Sequence, residues 1–193
     1  MTPRAAPMAP EERKLALIEA TLPLLMEHGR TVTTKQIASA AGVAEGTIFR
    51  VFESKDELIM ASLEHAFALE PFLNDLRRIE PNQPLRDLVG DLVTTLQIRF
   101  RGVFGLMAAV GMVGPPKAHR HDAETRRVVG QEMVRLLSPY ADQLTCPVEH
   151  LVHVTRLLTF SGTHPHISDG QTLTPEQIVG TILDGVLRED HSC

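Results

Sequence analysis

Apolar residues recur at spacings of three and four along most of the chain. No stretch alternates apolar with polar residues for long enough to make a strand. The first pattern puts apolar side chains on one stripe of an α-helix, whereas the second would mark a half-buried strand. The expected class is therefore all-α. Leu15, Ile18, Leu22 and Leu25 make the first stripe, behind Pro10-Glu11-Glu12, where a proline and two acids suit a helix start. Gly29 is a natural stop, and Pro23 should bend this helix or remove one hydrogen bond. Thr33 with Gln36, and Ser54 with Glu57, have the spacing of capping boxes. Between them lie two short helices parted by Gly42. One buries Ile37, Ala38 and Ala41, and the other runs from about Glu45 to Phe52 with Ile48, Val51 and Phe52 available for packing.

The pattern stays helical beyond this point. The helix opened by Ser54 carries Leu58, Ile59, Leu63 and Phe67 and should end or kink at Pro71. Pro84 starts a segment with Leu85, Leu88, Leu92 and Leu96. The Gly-interrupted apolar stretch 102–113 reads as a separate, central, buried helix stopping at Pro115-Pro116. Further helices are expected over 122–140, from Pro147 to about Thr163, and over 175–188. Residues 1–9 read as a flexible arm, 10–53 as one domain and 54–193 as a second.

Charge and cysteine content narrow the function classes. The net charge of −5 over 193 residues does not mark a nucleic-acid-binding protein as a whole. Residues 1–60 hold seven Lys/Arg against eight Asp/Glu, so any DNA contact must come from a small local cluster. Cys146 and Cys193 make no CxxC pair and no disulfide framework, which suits a reducing compartment. The most apolar stretch, Val103 to Val113, is too short for a bilayer. The expectation is a soluble cytoplasmic protein that neither enters a membrane nor uses a cofactor. No G-x-S-x-G, H-E-x-x-H, Walker or dinucleotide-binding pattern occurs, so no enzyme is expected.

Two short helices around a glycine, after a longer supporting helix, make a helix-turn-helix, in which the second short helix enters the major groove. An ordinary helical hairpin gives the same bare pattern. The segments Val32-Thr33-Thr34-Lys35-Gln36-Ile37-Ala38, Ala41-Gly42-Val43, Gly46-Thr47-Ile48-Phe49-Arg50-Val51-Phe52 and Ser54-Lys55-Asp56-Glu57-Leu58 narrow it. Together they resemble the TetR family signature, in register over roughly residues 10–67. The resemblance implies a DNA-binding domain followed by a helical domain that dimerises and senses a ligand. It implies DNA contacts at Thr34 and Lys35, phosphate contacts at Thr47 and Lys55, and a recognition helix carrying Glu45, Gly46, Phe49 and Arg50. Family members usually carry Tyr where Phe49 stands and often His at Val51, so two polar contacts are missing. Arg50 offers a forked donor for phosphate or guanine, while Glu45 would repel phosphate or accept from cytosine.

Farther along, Phe100, Phe104, Met107, Met112, Met133 and Leu137 are candidate walls of an effector cavity between 85–113 and 122–137, with Arg99, Arg101 and His121 as polar members. A Met and Phe stripe is equally a core pattern. The resemblance implies dimerisation through the last two helices. Leu151, Val154, Leu157 and Leu158 would come from one and Ile178, Ile182 and Val186 from the other, with Gly162 and Gly180 allowing close approach. The pairs His119/His121, His150/His153 and His164/His166 have metal-ligand spacings, but nothing nearby in sequence completes a set, and no metal is assigned. The reading is a ligand-released repressor that binds a palindromic operator on double-stranded DNA as a homodimer, with an unidentified small-molecule effector. The alternative is a sensing or interaction protein of this fold that has lost specific DNA binding.

Overall fold

A computed structural model describes residues 9–112 and 123–186, and among these no β-strand forms. The helices are α1 (Pro10–His28), α2 (Thr34–Ala40), α3 (Ile48–Val51), α4 (Lys55–Phe67), α5 (Leu69–Arg77), α6 (Leu85–Ala109), α7 (Ala123–Leu137), α8 (Val148–Thr163) and α9 (Pro175–Val186). The chain groups into two compact units. Among the described residues, the first holds 9–68 and 105–112, and the second holds 69–104 and 123–186. The first unit thus runs past residue 53, where the sequence suggested a boundary.

In the first unit, α1 starts without a side-chain cap, and the Glu12 carboxylate instead accepts the backbone N–H of Ala9 at 3.1 Å. The buried face is Leu17, Ile18, Thr21 and Leu25. Leu15, placed in the stripe by spacing, is 42% exposed, so the true face is turned slightly from the expected one. Pro23 does not break the helix. It is exposed, so the carbonyl deprived of its N–H faces solvent. Thr33 caps α2 as expected, accepting from Gln36 N while Gln36 Oε1 accepts from Thr33 N at 2.8 Å. Ser54 accepts from Glu57 N at 3.1 Å, but the Glu57 carboxylate reaches back to Glu53 N rather than to the cap. Ile37, Ile48, Phe52, Leu58, Ile59 and Leu63 close over α1, each at most 2% exposed.

The second unit has one continuous core drawn from α5, α6, α7, α8 and α9, including Leu76, Leu88, Leu92, Met133, Leu151, Ile178 and Leu183. Two expectations are corrected. The helix after Ser54 ends at Phe67, four residues before Pro71, which instead sits in the first turn of α5. Residues 102–109 are not a separate buried helix but the last turns of α6. Only Val103 and Leu106 on that stretch are buried, while Arg101, Gly102 and Ala108 are exposed. Buried Gln97 donates Nε2 to Leu173 O at 2.9 Å and accepts from Arg101 Nη2 at 3.0 Å, which fixes the segment ahead of α9. The Tyr140 hydroxyl lies within hydrogen-bond reach of the carbonyls of Pro81 and Gln83 and ties α7's end to the loop before α6.

Glu132 of α7 accepts from Arg135 Nε at 2.9 Å and Arg77 Nε at 3.1 Å, and these bonds, the Arg135 bond foremost, hold its carboxyl below the usual range. A depressed carboxylate pKa adds stability above its unfolded value that is lost as pH falls through the folded one. In urea titrations, Glu132→Gln should be less stable than wild type at pH 7. The gap should close as pH drops below about 4.3.

Gly29 supplies a second test. Its φ is +57° and ψ is −144°, a region essentially confined to glycine, and a Cβ there would lie 2.3 Å from the Ala109 carbonyl oxygen. Gly42 has φ +68°, but nothing lies within 4 Å of its missing Cβ. In thermal unfolding, Gly29→Ala should therefore cost more than Gly42→Ala, with backbone strain alone of order 1–3 kcal/mol.

Candidate nucleic-acid interface

α2 and α3 are joined by a tight turn at Ala41–Ala44 and a single 3₁₀ turn, Glu45–Thr47. Gly42 takes a left-handed conformation, which lets its N–H reach Ser39 O and the Val43 N–H return to Ala38 O. Ile37 and Ala38 of α2 and Ile48 of α3 turn inward. The opposite side carries Lys35, Ala44, Glu45, Gly46, Phe49 and Arg50, all exposed, with Thr34 and Thr47 half-buried.

Within this face the Thr34 hydroxyl donates to Glu45 Oε1 at 2.5 Å. Glu45 is thus held by the first turn of α2, which locks the spacing of the two helices. Phe49 is 55% exposed, so it is no core residue, and it stands beside Arg50 as an apolar neighbour of a free cation. Lys35 and Arg50 are the two cations whose side chains project from this surface.

Lys55 behaves otherwise. Its Nζ donates to the carbonyls of Arg30 and Val32, both at 3.1 Å, and so closes the turn between α1 and α2. Here the Lys55 ammonium satisfies carbonyls that the end of a 3₁₀ turn leaves open. Lys14 stands over the Phe52 ring at 5.9 Å, bracing the end of α3 from α1. Neither tether was visible in the sequence, because the partners lie 23 to 38 residues apart.

The arrangement is a helix-turn-helix with an exposed second helix and two uncommitted cations. Residues 17–61 match the family model described as bacterial regulatory proteins, tetR family. The helix-turn-helix segment is thus that of a tetR-family DNA-binding domain. Solved structures agree in fold. A TetR family protein from Vibrio parahaemolyticus aligns at TM-score 0.56 and 17% identity, over 92% of this chain and 100% of its own. A tetR-family regulator from Streptomyces coelicolor aligns at TM-score 0.61 and 20% identity, over 92% of this chain and 80% of its own. The superantigen PfiT aligns at TM-score 0.61 and 21% identity, over 95% and 100%. No helix among the described residues is long and apolar enough to cross a membrane.

The other candidate residues do not gather as the sequence suggested. Met133 and Leu137 are fully buried in the second unit's core. Phe100 and Phe104 instead cluster with Phe160 and His164, with ring centroids 4.5 to 5.9 Å apart. Met107 lies on the part of α6 that belongs to the first unit. Leu151, Ile178 and Ile182 are buried within the protomer and are not free for a partner. Gly162 packs on Leu173 of its own chain, where a Cβ would stand 2.9 Å from Leu173 Cδ1. Leu157 is 55% exposed, while Val154 and Leu158 are half-buried. The side chain of Val186 and residues His119 and His121 lie outside the described residues. Among those described, no group of three His, Cys, Asp or Glu is placed to hold a metal ion.

Lys55→Ala should lower stability in denaturant melts by about 1–3 kcal/mol, since the partly buried Val32 carbonyl loses its charged donor while the exposed Arg30 carbonyl can turn to water. The loss should be independent of DNA.

Proposed function

We propose that the protein is a ligand-released transcriptional repressor that binds a near-palindromic operator as a homodimer. The observation carrying this reading is the pair of exposed cations, Lys35 and Arg50, on the outward face of a helix-turn-helix whose inward face is fully packed. Lys35 can neutralise phosphate, and Arg50 presents the planar fork that suits guanine or phosphate. The decisive experiment selects bound sites from random duplexes, then measures affinity against salt. Arg50→Ala should cost about 1–3 kcal/mol and relax preference at one operator position. Lys35→Ala should weaken all sequences alike and flatten the log–log salt slope by about one unit. Asymmetric selected sites, or an Arg50→Ala protein with unchanged affinity, would refute this account.

Ligand responsiveness draws support from α8. The hydroxyls of Thr155 and Thr159 are buried and hydrogen-bond to nothing among the described residues, as groups awaiting a polar partner would be. For the dimer we propose the outward faces of α8 and α9. One offers Leu157 flanked by His150 and Val154. The other offers Gln177, Thr181 and Asp184 around the half-buried Gly180, which lets another backbone approach. This separates two variants. Leu157→Glu should split the dimer in sedimentation while leaving the helical circular dichroism intact, whereas Ile182→Glu should unfold the second unit.

A second reading, in which specific DNA binding has been lost, is favoured by Glu45 and Phe49 on the recognition face and by the like fold of the superantigen PfiT. Absence of any salt-dependent duplex binding would select it.

A further inference from the structure

The side of α8 that faces α7 carries a feature that DNA recognition does not use. A groove of about 410 Å³ runs between the two helices within the second unit. Arg126 and Arg127 of α7 and Arg156 and His153 of α8 line it, with Glu149 as the single carboxylate among the lining residues. Its apolar wall is Val134 and Val152, and Gly130 leaves it open.

These arginines are not equivalent. Arg127 is engaged by both oxygens of Glu124 and by Gln131 Oε1 at 2.9 Å. Arg156 is half-buried, and no carboxylate of the described residues pairs with it. Its one hydrogen bond runs to the backbone carbonyl of Arg126 at a long 3.3 Å. Burial, and then the Arg126 charge, push the Arg156 guanidinium below its ordinary pKa. Arg156, half-buried beside the Arg126 charge and paired with no carboxylate of the described residues, is unfavourably placed unless an anion completes it. The volume falls in the range of sites that hold small organic ligands.

We infer that the α7–α8 groove binds a small organic monoanion, its carboxylate or phosphate group clamped by Arg156 and Arg126 and its apolar body laid against Val134 and Val152. Two guanidinium forks from facing helices suit the bidentate geometry of such a group. Glu149 on the rim opposes a second negative charge, which favours a monoanion. The groove residues of α8 (149, 152, 153 and 156) lie about a third of a turn from the face holding His150, Val154 and Leu157. The site is therefore compatible with the dimer face proposed above and does not depend on DNA binding.

The test titrates the full-length protein with octanoate, octanol and inorganic phosphate in calorimetry at fixed ionic strength. Octanoate should bind saturably, and octanol at least tenfold more weakly. Arg156→Gln should lower octanoate affinity at least tenfold. Gly130→Leu keeps every charge but fills the groove, and should do the same. Circular dichroism monitors the fold of both variants. Gly130→Ala adds a control that meets no clash, since a Cβ at Gly130 would lie 3.8 Å from Arg156 Nη1. It should stay folded and bind octanoate more weakly than wild type. No saturable octanoate binding, equal binding of octanol, or unchanged affinity in folded Arg156→Gln would overturn the proposal. Phosphate binding as tightly as octanoate would overturn its apolar part. Because the readout is ligand heat rather than DNA retention, a failure here is distinct from a failure of the repressor reading.

Discussion

Everything exposed on the recognition face depends on burial beneath it. α3 is only four residues long and α2 only seven, lengths at which an isolated helix does not persist in water. They hold because Ile37, Ile48 and Leu58 are wholly buried where α2, α3 and α4 pack on the nineteen-residue α1, whose own Leu17 and Leu25 are wholly buried as well. Those aliphatic contacts, in a chain without tryptophan, keep Lys35 and Arg50 at a fixed separation. The polar ties at Thr34–Glu45 and Lys55 then set the angle between elements already pinned by apolar packing.

The second unit follows a related logic with a different outcome. Five helices bury one core, and the polar groups inside it are held mostly by their own chain, as with Gln97 and Thr163. Thr155 and Thr159 are the exceptions, and they fall on α8, as do Arg156 and Leu157. One helix therefore presents three chemistries on three sides: hydroxyls inward, a guanidinium toward α7, and an apolar side chain outward.

The sequence made the helices legible because capping and periodicity are local. The caps at Thr33 and Ser54, the stop at Gly29 and the start at Pro147 all stand where expected. Which side of a helix is buried was less legible, as Leu15 shows, since neighbouring stripes one residue apart have nearly equal apolar content. The same ambiguity sent Ile178 and Ile182 to a subunit interface rather than to the core, because a strongly apolar face serves either purpose. That Lys35, Phe49 and Arg50 stand exposed on the helix-turn-helix agrees with the register read from the sequence. The tie made by Lys55 was not legible, because it is set by carbonyls of residues 30 and 32, and backbone acceptors leave no mark in a sequence. The arginines of the α7–α8 groove were invisible for a similar reason, since thirty residues separate Arg126 from Arg156.

The two lysines of the helix-turn-helix also differ as nucleophiles. An acylating reagent meets the Lys35 amine in open solvent, but it must draw the Lys55 amine off two carbonyl oxygens before bond formation begins. Covalent labelling with an amine-reactive ester would therefore report on the integrity of the α1–α2 turn: slow modification of residue 55 while the turn is closed, and rates converging with those of residue 35 once it opens.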